Sequence, residues 1–291
     1  TYTYEFKVPP GTNGLEPELS LSYNSHLRHS PPSVTGRGWR LTENYIQRNS
    51  NFTLNTADDD FYILVFNGAS HELVNTTIVD GRFHTKIESF FHIQQIDGIA
   101  NNTNNSYWVV KTPDGTNYTY GYNNESEMIG SVNGLVWRWS LDSIQDTYGN
   151  AVFYNYSENL FGDSGTVYLD KITYNNDQRR IIELIYESLD RSDIWEYFDH
   201  GNRIKQKRRL QEIRVSADSA PVRTYVFWYN YSDGVAGGSA PIASLLTRIV
   251  EVGGDNSTAL PAAQFHYRPS FPKFAEHSGS YYAMHECDGT N

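Results

Sequence analysis

Polar and apolar residues alternate with a period of two from the first residues onward. Tyr2, Tyr4, Phe6 and Val8 fall on one side and Thr3, Glu5 and Lys7 on the other, as in a strand with one buried face. Pro9, Pro10, Gly11 and the Asn13-Gly14 pair interrupt the pattern, which resumes with Leu19, Leu21 and Tyr23 against Ser20, Ser22 and Asn24. Two strands around a sharply shaped loop are expected there. Similar patterning predicts strands over Phe61–Phe66, Phe83–Ile87, Phe90–Ile96, Tyr107–Lys111, Asn117–Tyr122, Val136–Asp142 and Val152–Tyr156. Further strands are predicted over Thr166–Tyr174, Ile181–Tyr186, Arg203–Val215, Arg223–Tyr231, Leu245–Glu251 and Ala263–Tyr267. Hairpin dipeptides separate them, at Asn67-Gly68, Asp80-Gly81, Asp97-Gly98, Asp114-Gly115, Asn133-Gly134 and Asp233-Gly234. Many short strands with such punctuation make an antiparallel, all-β chain. Residues 181–198 have partial helical spacing, but Ile and Tyr dominate the run, so a strand followed by a loop is preferred.

A degenerate repeat runs through the second half. Leu-x-x-Ile recurs at Leu141, Leu169, Leu210 and Leu246, each time followed by an aromatic strand ending in Tyr, at Tyr156, Tyr186, Tyr231 and Tyr267. Each hairpin alone would leave one apolar face wet, so neighbours must stack.

Composition narrows the functions. With 34 acidic and 23 basic residues the net charge is −11, which repels phosphate and argues against nucleic acid as a partner. No run approaches the ~20 apolar residues of a helical membrane span. Cys287 is the single cysteine, so neither an internal disulfide nor a thiolate metal site can form. Residue 1 is Thr and nothing near it resembles a signal peptide, so the piece reads as processed or excised. Nine Asn-x-Ser/Thr sequons begin at Asn51, Asn75, Asn101, Asn104, Asn117, Asn124, Asn155, Asn230 and Asn256. Random placement predicts about four, so a secreted or cell-surface glycoprotein is expected if the source glycosylates asparagine.

The opening stretch from Val8 to Ser25, containing Pro9, Pro10, Gly11, Asn13, Gly14, Tyr23 and Asn24, is followed by Gly36-Arg37-Gly38-Trp39-Arg40-Leu41 and Ile46-Gln47-Arg48. It resembles the amino-terminal domain of the virulence-plasmid B-protein (SpvB) family, which also opens the B components of insecticidal toxin complexes among the Rhs/YD-repeat proteins. Trp139-Ser140-Leu141, Ile144-Gln145-Asp146, Tyr148-Gly149-Asn150 and Phe153-Tyr154-Asn155-Tyr156 look like a YD-type repeat. Arg179-Arg180-Ile181 and Arg209 to Ile213 fit the same grain. The resemblance implies a strip of antiparallel hairpins forming part of a curved YD/Rhs-type β-shell around a sequestered polypeptide. It divides one domain, 1–291, into an opening motif (1–50), hairpins (51–135), degenerate repeats (136–270) and a tail or the start of a next module (271–291).

Candidate chemistry is sparse. Gly36 and Gly38 let the chain approach a neighbour before Trp39 buries its ring; a shell corner is preferred to a ligand-gripping loop. Asp58-Asp59-Asp60 lacks the spacing of a calcium loop. Glu125-Ser126-Glu127 has the shape of the acidic motif in the ADP-ribosyltransferase domain of some full-length relatives, and is read as accidental. No His pair has zinc-protease spacing, although His84 and His92 could meet across a hairpin. No Gly-x-Ser-x-Gly elbow occurs. Arg203, Lys205, Lys207 and Arg209 would share one face of a strand, either as a docking stripe for an acidic partner or as partners of cross-strand carboxylates, the latter preferred. The Tyr and Trp stripes, Trp137 and Trp139 among them, could stack on sugars, but a place in the core or the inter-strand ladder is preferred. The expectation is a non-enzymatic structural module without cofactor or metal, whose partners are other segments or subunits of a larger assembly. A glycan-binding module and a glycosidase with two inward carboxylates are the rivals.

Overall fold

The computed structural model describes residues 1–50, 60–76, 81–129, 134–158, 161–162, 165–199, 202–231 and 243–267. Near its start, β1 (Tyr2–Glu5), β2 (Ser20–Tyr23) and β3 (Trp39–Leu41) form a three-stranded antiparallel sheet. The loop between β1 and β2 turns through left-handed Asn13 (φ 57°) and Gly14 (φ 76°). Tyr174 tethers it by donating to the Pro9 carbonyl at 2.6 Å.

A meander follows: β4 (Tyr45–Asn49), β5 (Phe61–Phe66), β6 (Ala69–Asn75), β7 (Arg82–Thr85), β8 (His92–Asp97), β9 (Ser106–Lys111) and β10 (Asn117–Tyr120). After the short β11 (Glu127–Ile129), the long β12 (Val136–Gln145) pairs with both β4 and β10. The meander thereby closes into an eight-stranded antiparallel barrel. Eight strands enclose just enough room for side chains. Tyr62, Phe83, Trp108 and Trp139 fill it, with ring centroids 4.8 to 5.9 Å apart. The Arg48 guanidinium lies 5.8 Å from the Tyr62 ring and 3.2 Å from Asp60. Phe66, Phe91 and Tyr118 pack together at one mouth.

From β12 the sheet continues as an open ladder through β13 (Ala151–Glu158), β14 (Val167–Tyr174) and β15 (Arg180–Tyr186). A separate hairpin, β16 (Trp195–Asp199) with β17 (Asn202–Gln206), is inserted before β18 (Leu210–Ala217), β19 (Ala220–Tyr231), β20 (Ser244–Gly253) and β21 (Ala263–Gln264) complete the ladder. The opening sheet covers its inner face. Phe6 packs 4.9 Å from Tyr225 and 6.0 Å from Phe227, and Trp39 packs 4.6 Å from Phe265.

The Leu-x-x-Ile repeat has a geometric basis. Tyr120, Tyr156, Tyr186 and Tyr229 stand opposite Leu141, Leu169, Leu210 and Leu246, and at each pair one extra residue bulges from the leucine strand: Asp142, Asp170, Gln211 and Thr247. Each leucine carbonyl accepts the phenol of a tyrosine in the aromatic strand of its own unit. Tyr156 donates to Leu141 at 2.9 Å, Tyr186 to Leu169 at 2.8 Å, Tyr229 to Leu210 at 2.6 Å and Tyr267 to Leu246 at 2.5 Å. In the third unit the bonded residue is Tyr229, two residues before the terminal Tyr231, because Tyr229 is the one that stands opposite the next leucine, Leu246, at its bulge. Bulges bend and twist a strand, so a repeated bulge curves the wall.

Several strand expectations are corrected. Residues 203–215 form two strands rather than one, because the chain leaves the β16–β17 hairpin after Gln206 to join the ladder at Leu210. The strand predicted from Phe90 begins at His92; Phe90 is 79% exposed with φ 59°. β6 escaped prediction because Leu73 is its single buried residue. β3, β4, β11 and β16 were also unforeseen, the last lying where a loop was expected. The turns at Asp80, Asn133 and Asp233 lie at least partly outside the described residues.

Replacing Tyr186 by Phe keeps the ring and strands the Leu169 carbonyl. A loss of about 1–3 kcal/mol is expected in urea unfolding, against no measurable change for Tyr148→Phe at a site 79% exposed.

Candidate functional site

Loop 33–37 meets the ladder at a buried clasp. Arg191 and Asp193, 2% and 7% exposed, form a two-pronged ion pair at 2.8 and 3.0 Å. Arg191 also donates to the Ser33 carbonyl at 2.8 Å, and Asp193 accepts from the Ser244 amide and hydroxyl, both at 2.6 Å. Burial pushes the Asp193 carboxyl up, but the Arg191 and Ser244 donors outweigh it and hold the group below its ordinary range. The Arg37 amide closes the circuit on the Ser244 carbonyl at 2.9 Å. Gly36 (φ 92°) has no alternative here, since a Cβ would lie 2.8 Å from that same oxygen. Gly38 (φ 80°) packs as closely against the Tyr23 ring, where a Cβ would sit 2.7 Å away. Trp39 is 1% exposed and donates its indole N–H to the Tyr267 hydroxyl at 2.8 Å. Asn24 accepts from the His26 amide.

A second buried polar group is shared by β11, which carries Glu127, and β12, which carries Asp142. Glu127 has no exposed surface and accepts from Asn102 at 3.0 Å and Asn104 at 3.4 Å. Asp142, at its bulge, accepts from the Tyr122 amide, Asn123 at 2.9 Å and Ser126 at 2.9 Å. Burial raises both carboxyls, Glu127 to about 7 and Asp142 to about 6, against the pull of these donors. Because Glu127 has no exposed surface and Asp142 is 5% exposed, a substrate has no surface of Glu127, and almost none of Asp142, to approach.

The basic residues do not form one row. Arg203 and Lys205 share β17, where Arg203 grips Glu196 at 2.7 and 2.8 Å. Lys207 donates to the Phe161 and Gly162 carbonyls, and Arg209 grips Glu187 at 2.8 Å while lying over Tyr229 and Tyr231. Trp137 and Trp139, 5% and 1% exposed, offer no open ring face. Asp60 is held by Arg48, whereas Asp58, Asp59 and Cys287 lie outside the described residues. His84 directs Nδ1 at the Thr85 carbonyl, and among the described residues no three metal-binding side chains converge.

Of the sequon asparagines, Asn51 lies outside the described residues. Asn75, Asn101, Asn104, Asn124, Asn155, Asn230 and Asn256 are exposed, whereas Asn117 is half-buried within β10. The Ser126 hydroxyl of the Asn124 sequon is buried against Asp142. Asn256 borders a shallow groove of ≈ 550 Å³ on the outer ladder face, beside Glu212, Arg214, Thr224, Val226 and Val252. Sequence reasoning missed the Arg191–Asp193 clasp and Asp142, since nothing local marks a charge that will be buried by residues far along the chain.

A filled barrel running into a bulged ladder, with its inner face covered by the opening sheet, defines an all-β domain. The profile of the family described as Salmonella virulence plasmid 65kDa B protein matches residues 1–232, and the chain belongs to that family. The N-terminal domain of effector protein SpvB from Salmonella typhimurium has the same fold, with a TM-score of 0.69 at 15% identity over 86% of this chain and 98% of that one. The TcdB2-TccC3-Cdc42 structure matches with a TM-score of 0.71 at 15% identity, covering 91% of this chain and 16% of that chain. The Photorhabdus luminescens Tc holotoxin pore matches at 0.68 and 16% identity, covering 91% and 15%. This chain therefore spans only a small part of the Tc chains it resembles. No curated protein sequence matches.

Gly36→Ala should weaken the clasp through both its left-handed backbone and its contact with Ser244. Asp193→Ala leaves Arg191 buried without a counter-charge and is expected to cost about 3–5 kcal/mol in denaturant unfolding.

Proposed function

We propose that this chain is a non-enzymatic scaffold module of a larger secreted or cell-surface β-walled assembly, acting by enclosure. Its partners are other segments or subunits of that assembly. The observation that carries the reading is β12, one strand shared by a closed, solid barrel and a ladder bent by regular bulges. The barrel anchors one end rigidly, and the ladder curves away from it as a wall whose inner face is already covered.

Shape, rather than chemistry, is what such a construction transmits. The likeness to SpvB and Tc structures supports the reading at the level of fold. Arg203 and Lys205, on the β16–β17 hairpin, are the part of the basic run best placed to meet an acidic neighbour. In a glycosylating host, Asn155, Asn230 and Asn256 would carry sugar on the outer side of the ladder.

Electron microscopy of the intact polypeptide that carries this chain tests the proposal. A hollow body with this domain built into its wall is expected. A compact globule, or this domain tethered apart from the rest, overturns it.

A further inference from the structure

We propose that Glu127 and Asp142 form a proton-operated latch that holds residues 121–129 on the shared strand β12 and tightens on acidification. The two carboxyls tie three pieces to that strand. Glu127 belongs to β11, paired opposite Trp139. Asp142, from its bulge, takes the Tyr122 amide just past β10 and the Ser126 hydroxyl at the end of the 3-10 turn Asn124–Ser126. Asn102 reaches in from the β8–β9 loop and donates to Glu127 and to the Gly121 carbonyl.

Every donor in this knot is neutral. Acidic groups face it from two neighbouring elements, Glu125 on the 3-10 turn and Glu158 at the end of β13, and Glu127 and Asp142 face each other. Burial raises Glu158 too, reinforced by Glu125. The phenol of Tyr156 faces Asp142, and Tyr107 faces Tyr122. Arg138 on β12 faces Tyr156 and is paired with Glu43 at 2.5 Å. Among the described residues, none of the four carboxyls has an ion-pair partner. Ionised, Glu127 and Asp142 are two like charges sharing a site with little water and no cation; protonated, they become ordinary hydrogen-bonding groups.

The sign follows from linkage. An unfolded Glu titrates near ~4.3, whereas folded Glu127 is raised to about 7. The folded segment thus retains its proton longer than the open one. The resulting stability is fully present below the unfolded pKa, declines as pH rises toward 7, and is gone above it.

Hydrogen exchange on the full chain at pH 5.5 and pH 8.0, normalised for the intrinsic rate, tests the latch. Opening of 121–129 should increase about tenfold or more at pH 8.0, with residues 61–66 unchanged as the control. Glu127→Gln should abolish that pH difference. Should the variant fail to fold, a carbon-13 titration of labelled Glu in the wild-type chain must show a Glu127 midpoint near 7. A pH-independent segment, an equal change in 61–66, or an ordinary Glu127 midpoint overturns the proposal. So does protection at pH 8.0 by calcium chloride alone, which would make the cluster a cation site.

Discussion

A sheet is stable only where its edges are answered, and in this chain the answer turns on β12. Its ten residues accept β4 and then β13 along one side, and β11 and then β10 along the other. Residues 138–145 close the barrel by pairing with β4 and β10, and residues 143–145 also launch the ladder by pairing with β13. Two such architectures would otherwise each present exposed edges, which invite mispairing. Among the described residues the last strand of the ladder is β21, of two residues.

The ladder's regularity comes from a backbone need rather than from a sequence of fixed length. Leucines 141, 169, 210 and 246 are unequally spaced, and the β16–β17 hairpin lies wholly within one interval. What stays constant is the bulge beside each leucine and the phenol that donates to its carbonyl. Loops absorb the variation in length, while the curvature of the wall, set at the bulges, does not depend on it.

Charge is buried in two contrasting ways. Arg191 and Asp193 neutralise one another and let the opening segment lie flush on the ladder. Glu127 and Asp142 are surrounded by amides and a hydroxyl instead, so their charge state depends on the solution. In this acidic chain the first arrangement makes a fixed joint, and the second makes one that responds to pH.

Period-two alternation and hairpin dipeptides made the all-β class legible, along with most of the ladder strands. The Leu-x-x-Ile recurrence announced the repeating unit, and the Gly36-Arg37-Gly38-Trp39 run announced a close approach. Alternation reports which face of a strand is buried, but it is silent about which strand lies alongside. Closure of β10 and β4 on β12, the break between β17 and β18, and the meeting of Arg191 with Ser33 and Ser244 depend on residues far apart in the chain. Local sequence therefore determined the strands and their inward faces. Tertiary packing alone decided that they close into a barrel at one end, open into a wall at the other, and shut Glu127 and Asp142 away from water.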